Sequence, residues 1–227
     1  MFKNVTCLVL TLIFAGAVNA QDQDVPKVEV GGQFTLLSRN KPTLIFPSPT
    51  IVPDDYEDSI RLGFGGRFTY NLNNSVALEA VANFFPGNDN FDNDLSAPAG
   101  EIFQSQFGVK AGKRFSKFGI FGKARPGFVT FFEASRMTGT TTINFNNQQF
   151  PRGVFTTGKE TDFSMDIGGV VEFYHSPRIV TRLDFGDTII RYGEYRRESF
   201  VVSIPFLSRP AETKHNFQFS AGVGFRF

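Results

Sequence analysis

Cysteine is almost absent from this 227-residue chain, and its only example lies outside the part that we expect to fold. Cys7 belongs to residues 1–20, which combine a positive charge at Lys3, an apolar core and a small-x-small end. This pattern predicts a secretory signal peptide that is cleaved before Gln21. A membrane-anchoring helix is disfavoured, because the apolar run is short and a polar QDQD segment follows it at once. Without these residues the chain has no cysteine, which excludes disulfides, thiol nucleophiles and cysteine-bound metals.

Long apolar runs and an excess of charge are missing as well. Beyond residue 20 no apolar run is long enough for a membrane-spanning helix, which excludes a helical membrane protein. The formal net charge of +1 becomes zero once Lys3 is removed, so nothing indicates a nucleic-acid partner. No phosphate-binding loop, zinc motif or dinucleotide fingerprint is present, and we expect no cofactor and no metal.

Phenylalanine and glycine are abundant instead, with 29 and 22 copies. Mean hydropathy is nevertheless slightly negative. Aromatic richness with neutral hydropathy is typical of β-strands that alternate apolar and polar residues, because the two faces cancel. Eight segments show this period-two alternation and are predicted as strands: Val28–Leu36, Ile60–Tyr70, Val76–Phe84, Phe103–Ala111, Phe118–Phe132, Phe163–Phe173, Ile179–Ile189 and Phe217–Phe227.

Short and long connectors alternate between these strands. The short ones, 71–75, 113–117 and 174–178, carry Asn, Ser or Pro and are predicted as hairpin turns. The long ones, 37–59, 85–102, 133–162 and 190–216, are predicted as loops. Short apolar pieces at Leu44–Phe46 and Phe200–Phe206 indicate that some hairpins continue past the barrel.

The alternation leaves open which face meets water. A soluble barrel of the lipocalin type would bury the apolar face, whereas a membrane barrel turns that face to lipid and its polar face inward. Segments of about ten residues match a tilted membrane-spanning strand. Glycine-rich polar faces and the alternation of long and short connectors also favour the membrane barrel. We therefore predict an interior plugged by a network of opposite charges: Glu29, Arg61, Arg67, Glu79, Lys110, Arg114, Lys123, Arg125, Asp166, Glu172, Arg182, Asp184 and Arg226.

The last eight residues carry a more specific pattern. A polar Ser220, then Gly222, Phe225 and a final Phe227 resemble the insertion signal of bacterial outer-membrane proteins. The chain is similar to the small eight-stranded outer-membrane barrels of the OmpA transmembrane-domain, OmpX and Ail-like group. The resemblance implies an all-β, transmembrane, up-and-down antiparallel barrel over residues 21–227, with three periplasmic turns and four extracellular loops. It also implies a location in the Gram-negative outer membrane.

The same resemblance implies the partners. These are outer-membrane lipid, the barrel assembly machinery during insertion, and an extracellular ligand or surface partner for the loops. The chain is expected to be a monomer that does not bind nucleic acid and is not an enzyme. Its expected role is structural or in surface interaction.

Two other functions stay open. A small channel would need a continuous water path through the interior. A lipid A-modifying enzyme would need a histidine with Ser and a carboxylate: His215 has Ser199, Glu198 and Glu212 near it in sequence, and His175 lies beside Ser176. An interior ion pair is the favoured interpretation of Arg182 and Asp184. The acidic residues 87–94 are interpreted as a solvated loop, because they lack the spacing of an EF-hand calcium site.

Overall fold

The computed structural model describes residues 25–40, 59–87, 100–145, 148–196 and 208–227. These residues form ten strands: β1 (Val28–Arg39), β2 (Ser59–Asn71), β3 (Val76–Phe85), β4 (Ile102–Arg114), β5 (Phe118–Phe145), β6 (Gln148–Tyr174), β7 (Ile179–Tyr192), β8 (Tyr195–Arg196), β9 (Ser208–Arg209) and β10 (Glu212–Arg226). Among them no helix has the length and hydrophobicity needed to cross a membrane.

Eight strands close into one antiparallel barrel, in the order β1-β10-β7-β6-β5-β4-β3-β2, while β8 and β9 form a separate pair. Closure joins the first and last barrel strands, which pair from Glu29 with Arg226 to Ser38 with Phe217. All eight predicted segments are barrel strands, so the predicted fold class is confirmed. We call the end that carries the three tight turns the short-turn end, and the opposite end the long-connector end.

The third long connector is a correction to the sequence-based expectation. Residues 133–162 were predicted as a loop, but β5 and β6 continue pairing as far as Phe145 with Gln148, with irregularities after Phe131 and Met137. The stretch Thr140–Phe145 is rich in β-branched residues, which favour strands, although Thr and Asn are also common in loops. The predicted hairpin pieces at 44–46 and 200–206 lie outside the described residues.

This β5–β6 ribbon, residues 133–145 and 148–160, projects beyond the barrel. Strand β4 pairs with β5 only as far as Phe131, and β7 pairs with β6 only from Phe163 onward. Within the described residues the ribbon therefore has two strand edges without a neighbour. At about 3.3 Å per residue its thirteen-residue arms extend by about 40 Å.

The two faces of the barrel wall have opposite polarity. Outward residues are apolar and exposed, with Phe34 79% and Leu62 72% accessible, whereas inward Glu79 and Asp166 are fully buried. An outer surface that is apolar on strand after strand suits lipid, whereas soluble monomers rarely expose large contiguous apolar patches. The prediction that the polar face points inward is confirmed, and the soluble-barrel alternative is wrong.

Candidate functional site: the barrel interior

The middle of the barrel holds four acidic and four basic side chains, which we call the ionic cluster. Each is at most 4% exposed. The members, on strands β3 to β7, are Glu79, Lys110, Lys123, Arg125, Asp166, Glu172, Arg182 and Asp184. Salt bridges link all eight, so the cluster is neutral as a unit. Buried charges of this kind are tolerated only when they are paired.

Glu79 is the centre of this cluster. Arg182 binds both carboxylate oxygens of Glu79, with 2.9 Å between Nη2 and Oε2. Lys110 Nζ and Arg125 Nη1 lie 3.5 and 3.3 Å from the same carboxylate. Strands β3 and β7 are four places apart in the ring of eight, which puts them on opposite walls. The Glu79–Arg182 pair therefore crosses the full width of the barrel.

A second group of charges closes the short-turn end. Glu29 on β1 lies 3.4 Å from Arg114 Nη2 and 3.3 Å from Arg226 Nε. Arg114 also donates a hydrogen bond to Asn71 Oδ1 at 2.7 Å. The ring of Tyr174 lies under Arg226, 4.6 Å from the guanidinium carbon. These contacts join three non-neighbouring parts of the wall just inside the tight turns.

A chain of side-chain amides crosses the barrel on the other side of the ionic cluster. Gln33 donates to Asn83, Asn83 to Gln104, and Gln104 to Gln218, at 2.8, 2.8 and 3.0 Å. The last of these bonds joins β4 to β10, which also face each other across the ring. Thr188 donates a further hydrogen bond to Gln218 at 2.7 Å. The amide chain is thus a second crossing of the interior, made by neutral groups.

An apolar layer fills the interior near the long-connector end. It consists of Leu37, Phe85, Ile102, Val129, Phe131, Ile190 and Tyr192. The rings of Phe131 and Tyr192 stack with 5.9 Å between centroids, and the guanidinium of Arg39 lies 4.6 Å above Phe131. Five of these residues were assigned to loops from the sequence: Leu37, Phe85, Ile102, Ile190 and Tyr192. The strands run one to three residues further than predicted, and period two then turns these side chains inward.

Inward glycines leave the space that long charged side chains occupy. A Cβ atom at Gly31 or Gly224 would lie only 3.2 or 3.1 Å from Nη2 of Arg67. One at Gly186 would lie 2.9 Å from Oδ1 of Asp166. An eight-stranded barrel is only just wide enough to be filled by side chains. The glycines on the polar face therefore compensate for the bulk of the arginines and carboxylates.

The structure brings together eleven of the thirteen predicted interior charges. Arg61 lies apart, at the long-connector end, where Nη2 donates to the carbonyls of Pro86 and Gly100 at 3.0 and 2.8 Å. Arg67 makes no salt bridge, and its Nε and Nη2 atoms have no hydrogen-bond partner among the described residues. The sequence prediction missed Asp162, which accepts a hydrogen bond from the backbone of Gly193 at 3.1 Å.

The residues of the predicted insertion signal divide between the two faces. Ser220 points inward and donates to Thr35 Oγ1 at 2.9 Å, and Gly222 also faces the interior. Phe225 and Phe227 point outward and are exposed. Reading of this segment by the assembly machinery stays a prediction, as does cleavage of residues 1–20.

The two histidines are exposed, unlike the interior charges. His175, in a tight turn, contacts Thr181 Oγ1 through Nε2 at 2.7 Å. His215 contacts Asp187. Glu212 is 3.2 Å from Lys214, while Glu198 and Ser199 lie outside the described residues. Within the part of the chain that the structure describes, no three His, Cys, Asp or Glu side chains converge as a metal site would require. Most of residues 87–94 lies outside it.

Comparison with known proteins gives one family match. Residues 6–227 match the family model described as outer membrane protein beta-barrel domain. No curated protein matches the chain.

Several solved structures are similar at low identity. Neisserial surface protein A is 11% identical, with 88% of this chain and 97% of that chain covered and a TM-score of 0.46. OprG from Pseudomonas aeruginosa is 11% identical, with coverages of 92% and 99% and a TM-score of 0.45. Ail, the attachment invasion locus protein of Yersinia pestis, is 12% identical, with coverages of 88% and 97% and a TM-score of 0.44.

Proposed function

This chain belongs to the family of outer membrane protein β-barrel domains, and from this premise we propose that it is a closed, non-conducting barrel with a structural and surface-interaction role. Its place is the bacterial outer membrane. The interior holds the barrel together and passes no ions. The long-connector end, with the β5–β6 ribbon, contacts partners outside the cell. The proposal gives the interior no catalytic role.

The Glu79–Arg182 pair is the observation that carries the closed interior. It joins opposite walls, and Arg125 fills the space beside it by contacting Glu79, Asp166 and Asp184. The amide chain and the apolar layer stand between this level and the long-connector end. An ion would have to break charged contacts and then cross a layer whose side chains, apart from the Tyr192 hydroxyl, offer it no polar ligand, which opposes conduction.

The β5–β6 ribbon supports the surface role. Its two strand edges leave backbone N–H and C=O groups available, and an extended partner segment can pair with such an edge. Residues 137–151 carry no charged side chain, although charges are a common means of blocking edge pairing. The end of the ribbon thus lacks a usual safeguard against edge pairing.

Planar-bilayer recording tests the closed interior. The refolded full chain is expected to give no steady conductance, because two polar crossings and an apolar layer block the path. A barrel protein with a known open pore, inserted in the same way, serves as the positive control for insertion. Reproducible conductance steps from the unmodified chain would overturn the proposal and favour the small channel.

Ribbon shortening tests the surface role. Residues 135–156 are replaced by an Asn-Gly turn, which leaves the barrel parts of β5 and β6 intact. We expect adhesion of cells to protein-coated surfaces to fall, while the barrel keeps its heat-dependent shift on SDS gels. Equal adhesion of cells to surfaces coated with the full chain and to surfaces coated with the shortened chain would contradict this part of the proposal.

A further inference from the structure

Three neighbouring strands carry polar residues on the outer wall at the edge of the apolar band. Going from the middle of the barrel toward the long-connector end, the first polar outward residue is Asp187 on β7, His215 on β10 and Ser38 on β1. Phe217 of β10 pairs with Asp187 on one side and with Ser38 on the other. His215 is two residues further along the same face of β10. A carboxylate, an imidazole and a hydroxyl thus follow one another across three adjacent strands, with the histidine on the central strand.

His215 and Asp187 form a defined pair. His215 Nδ1 lies 2.5 Å from Asp187 Oδ2, and Asp187 Oδ1 accepts a hydrogen bond from the backbone N–H of Asn216 at 3.0 Å. A carboxylate at Nδ1 holds the ring proton on that nitrogen, so the other nitrogen, Nε2, is left as a base. Among the described residues Nε2 makes no hydrogen bond, and the side chain of His215 is 68% exposed.

The pair does not interrupt the barrel wall. The backbone pairing of β10 with β7 runs without a break from Glu212 to Phe225, past both residues. Ionisable groups at the lipid-facing surface are costly and usually mark a functional site. At the edge of the apolar band they lie at the depth where the acyl chains of a lipid join its head group, and that junction consists of esters.

We propose that Ser38, His215 and Asp187 form a site that hydrolyses an acyl ester of a membrane lipid. Ser38 Oγ attacks the ester carbonyl and its proton passes to His215 Nε2. The bond to the alcohol breaks, and His215 returns the proton to the departing oxygen. Water then attacks the acyl-serine in the same way, which releases a fatty acid and restores Ser38.

The register places the nucleophile on the strand beside the base. Ser38 is the diagonal neighbour of His215 on the paired strand, and diagonal neighbours on one face lie about 7–8 Å apart. The structure shows no hydrogen bond between them, and catalytic contacts are often long when substrate is absent. This site goes beyond the proposed surface role and departs from the expectation that the chain is not an enzyme. Its partners also differ from Ser199, Glu198 and Glu212, which were considered from the sequence.

Covalent labelling tests the site without knowledge of the substrate. A fluorophosphonate probe is added to the refolded full chain in detergent micelles; its phosphorus binds an activated serine oxygen, and fluoride leaves. We expect an adduct on the tryptic peptide Val28–Arg39, lost in Ser38→Ala and His215→Ala and reduced at least tenfold in Asp187→Asn. Thr213→Val, which removes another outward hydroxyl near His215, and His175→Ala are the matched controls and should label normally.

Substrate class is tested with vesicles. The full chain is placed in vesicles of phosphatidylethanolamine or of lipid A, and released fatty acid is measured by mass spectrometry. Release in either arm supports the site and identifies the lipid, provided that Ser38→Ala abolishes it while the heat-dependent gel shift stays normal. A folded unmodified chain that neither labels at Ser38 nor releases fatty acid from either lipid would overturn the proposal. Bilayer conductance and cell adhesion report on the closed interior and the ribbon separately.

Discussion

The ionic cluster and the apolar layer close the same barrel at two levels, by different means. The ionic cluster depends on direction and charge, since each carboxylate is held by particular cations at particular atoms. The apolar layer depends on volume, because its seven residues fill the section mainly by packing, with one stacked ring pair among them. The comparison shows that the barrel interior must be filled and that its buried polar groups must be paired. Charged side chains and apolar side chains can each meet this requirement.

The largest effect is expected from Glu79→Gln, which keeps the shape of the side chain and removes its charge. Lys110, Arg125 and Arg182 would then share a buried site with one carboxylate fewer. Removing one partner from a buried charge network costs about 3–5 kcal/mol of unfolding free energy. Urea titration in detergent, followed by the folded band on unheated gels, measures the loss. Glu101→Gln, an exposed carboxylate, is the control, and equal midpoints for the two variants would contradict a structural role for the cluster.

A smaller effect is expected from Leu37→Met in the apolar layer. Leucine and methionine have similar volumes, and such swaps in a packed core usually cost less than about 1.5 kcal/mol of unfolding free energy. The same titration checks this value beside that of Glu79→Gln. The contrast between the two layers is contradicted if Leu37→Met lowers the free energy of unfolding as much as Glu79→Gln does.

The smallest loss is expected from Arg67→Met. Arg67 is buried yet has no salt bridge among the described residues, so the substitution removes a desolvated cation without leaving any of their carboxylates unpaired. The urea midpoint should stay the same or rise, whereas Arg182→Met, which leaves Glu79 without its cross-barrel partner, should lower it. If Arg67→Met lowers the urea midpoint as much as Arg182→Met does, this prediction is contradicted, because the charge of Arg67 then stabilises the fold.

Period two predicted the strands and the face of each residue, because every barrel strand must place alternate side chains in lipid and in the interior. The inward position of Glu79, Lys110 and Arg182 followed from that rule alone. Their pairing across the barrel did not follow, since it depends on how far each strand is shifted against its neighbours, and no local signal contains that shift. The same limit applies to Asp187 and His215, which are 28 residues apart in sequence.

Strand ends were harder to predict than strand faces. Leu37 and Ile190 follow regular segments directly, yet two apolar residues in succession interrupt the alternation and imitate its end. The ribbon was missed for a related reason, as its Thr, Asn and Gln residues are common in both loops and solvent-exposed strands. Composition alone cannot separate a loop from a strand when the segment consists of such residues.

Closure of the barrel has a consequence for its biogenesis. Val28 and Phe227 exchange backbone hydrogen bonds, so the ring needs residues from both extremes of the folded chain. Until the final strand arrives, β1 and β7 present open edges and apolar surface to whatever surrounds them. Contacts between such distant residues form slowly. The interval before the last residues arrive is therefore when this chain is most exposed to aggregation, and a cell that produces it needs a means of keeping the incomplete sheet apart from its copies.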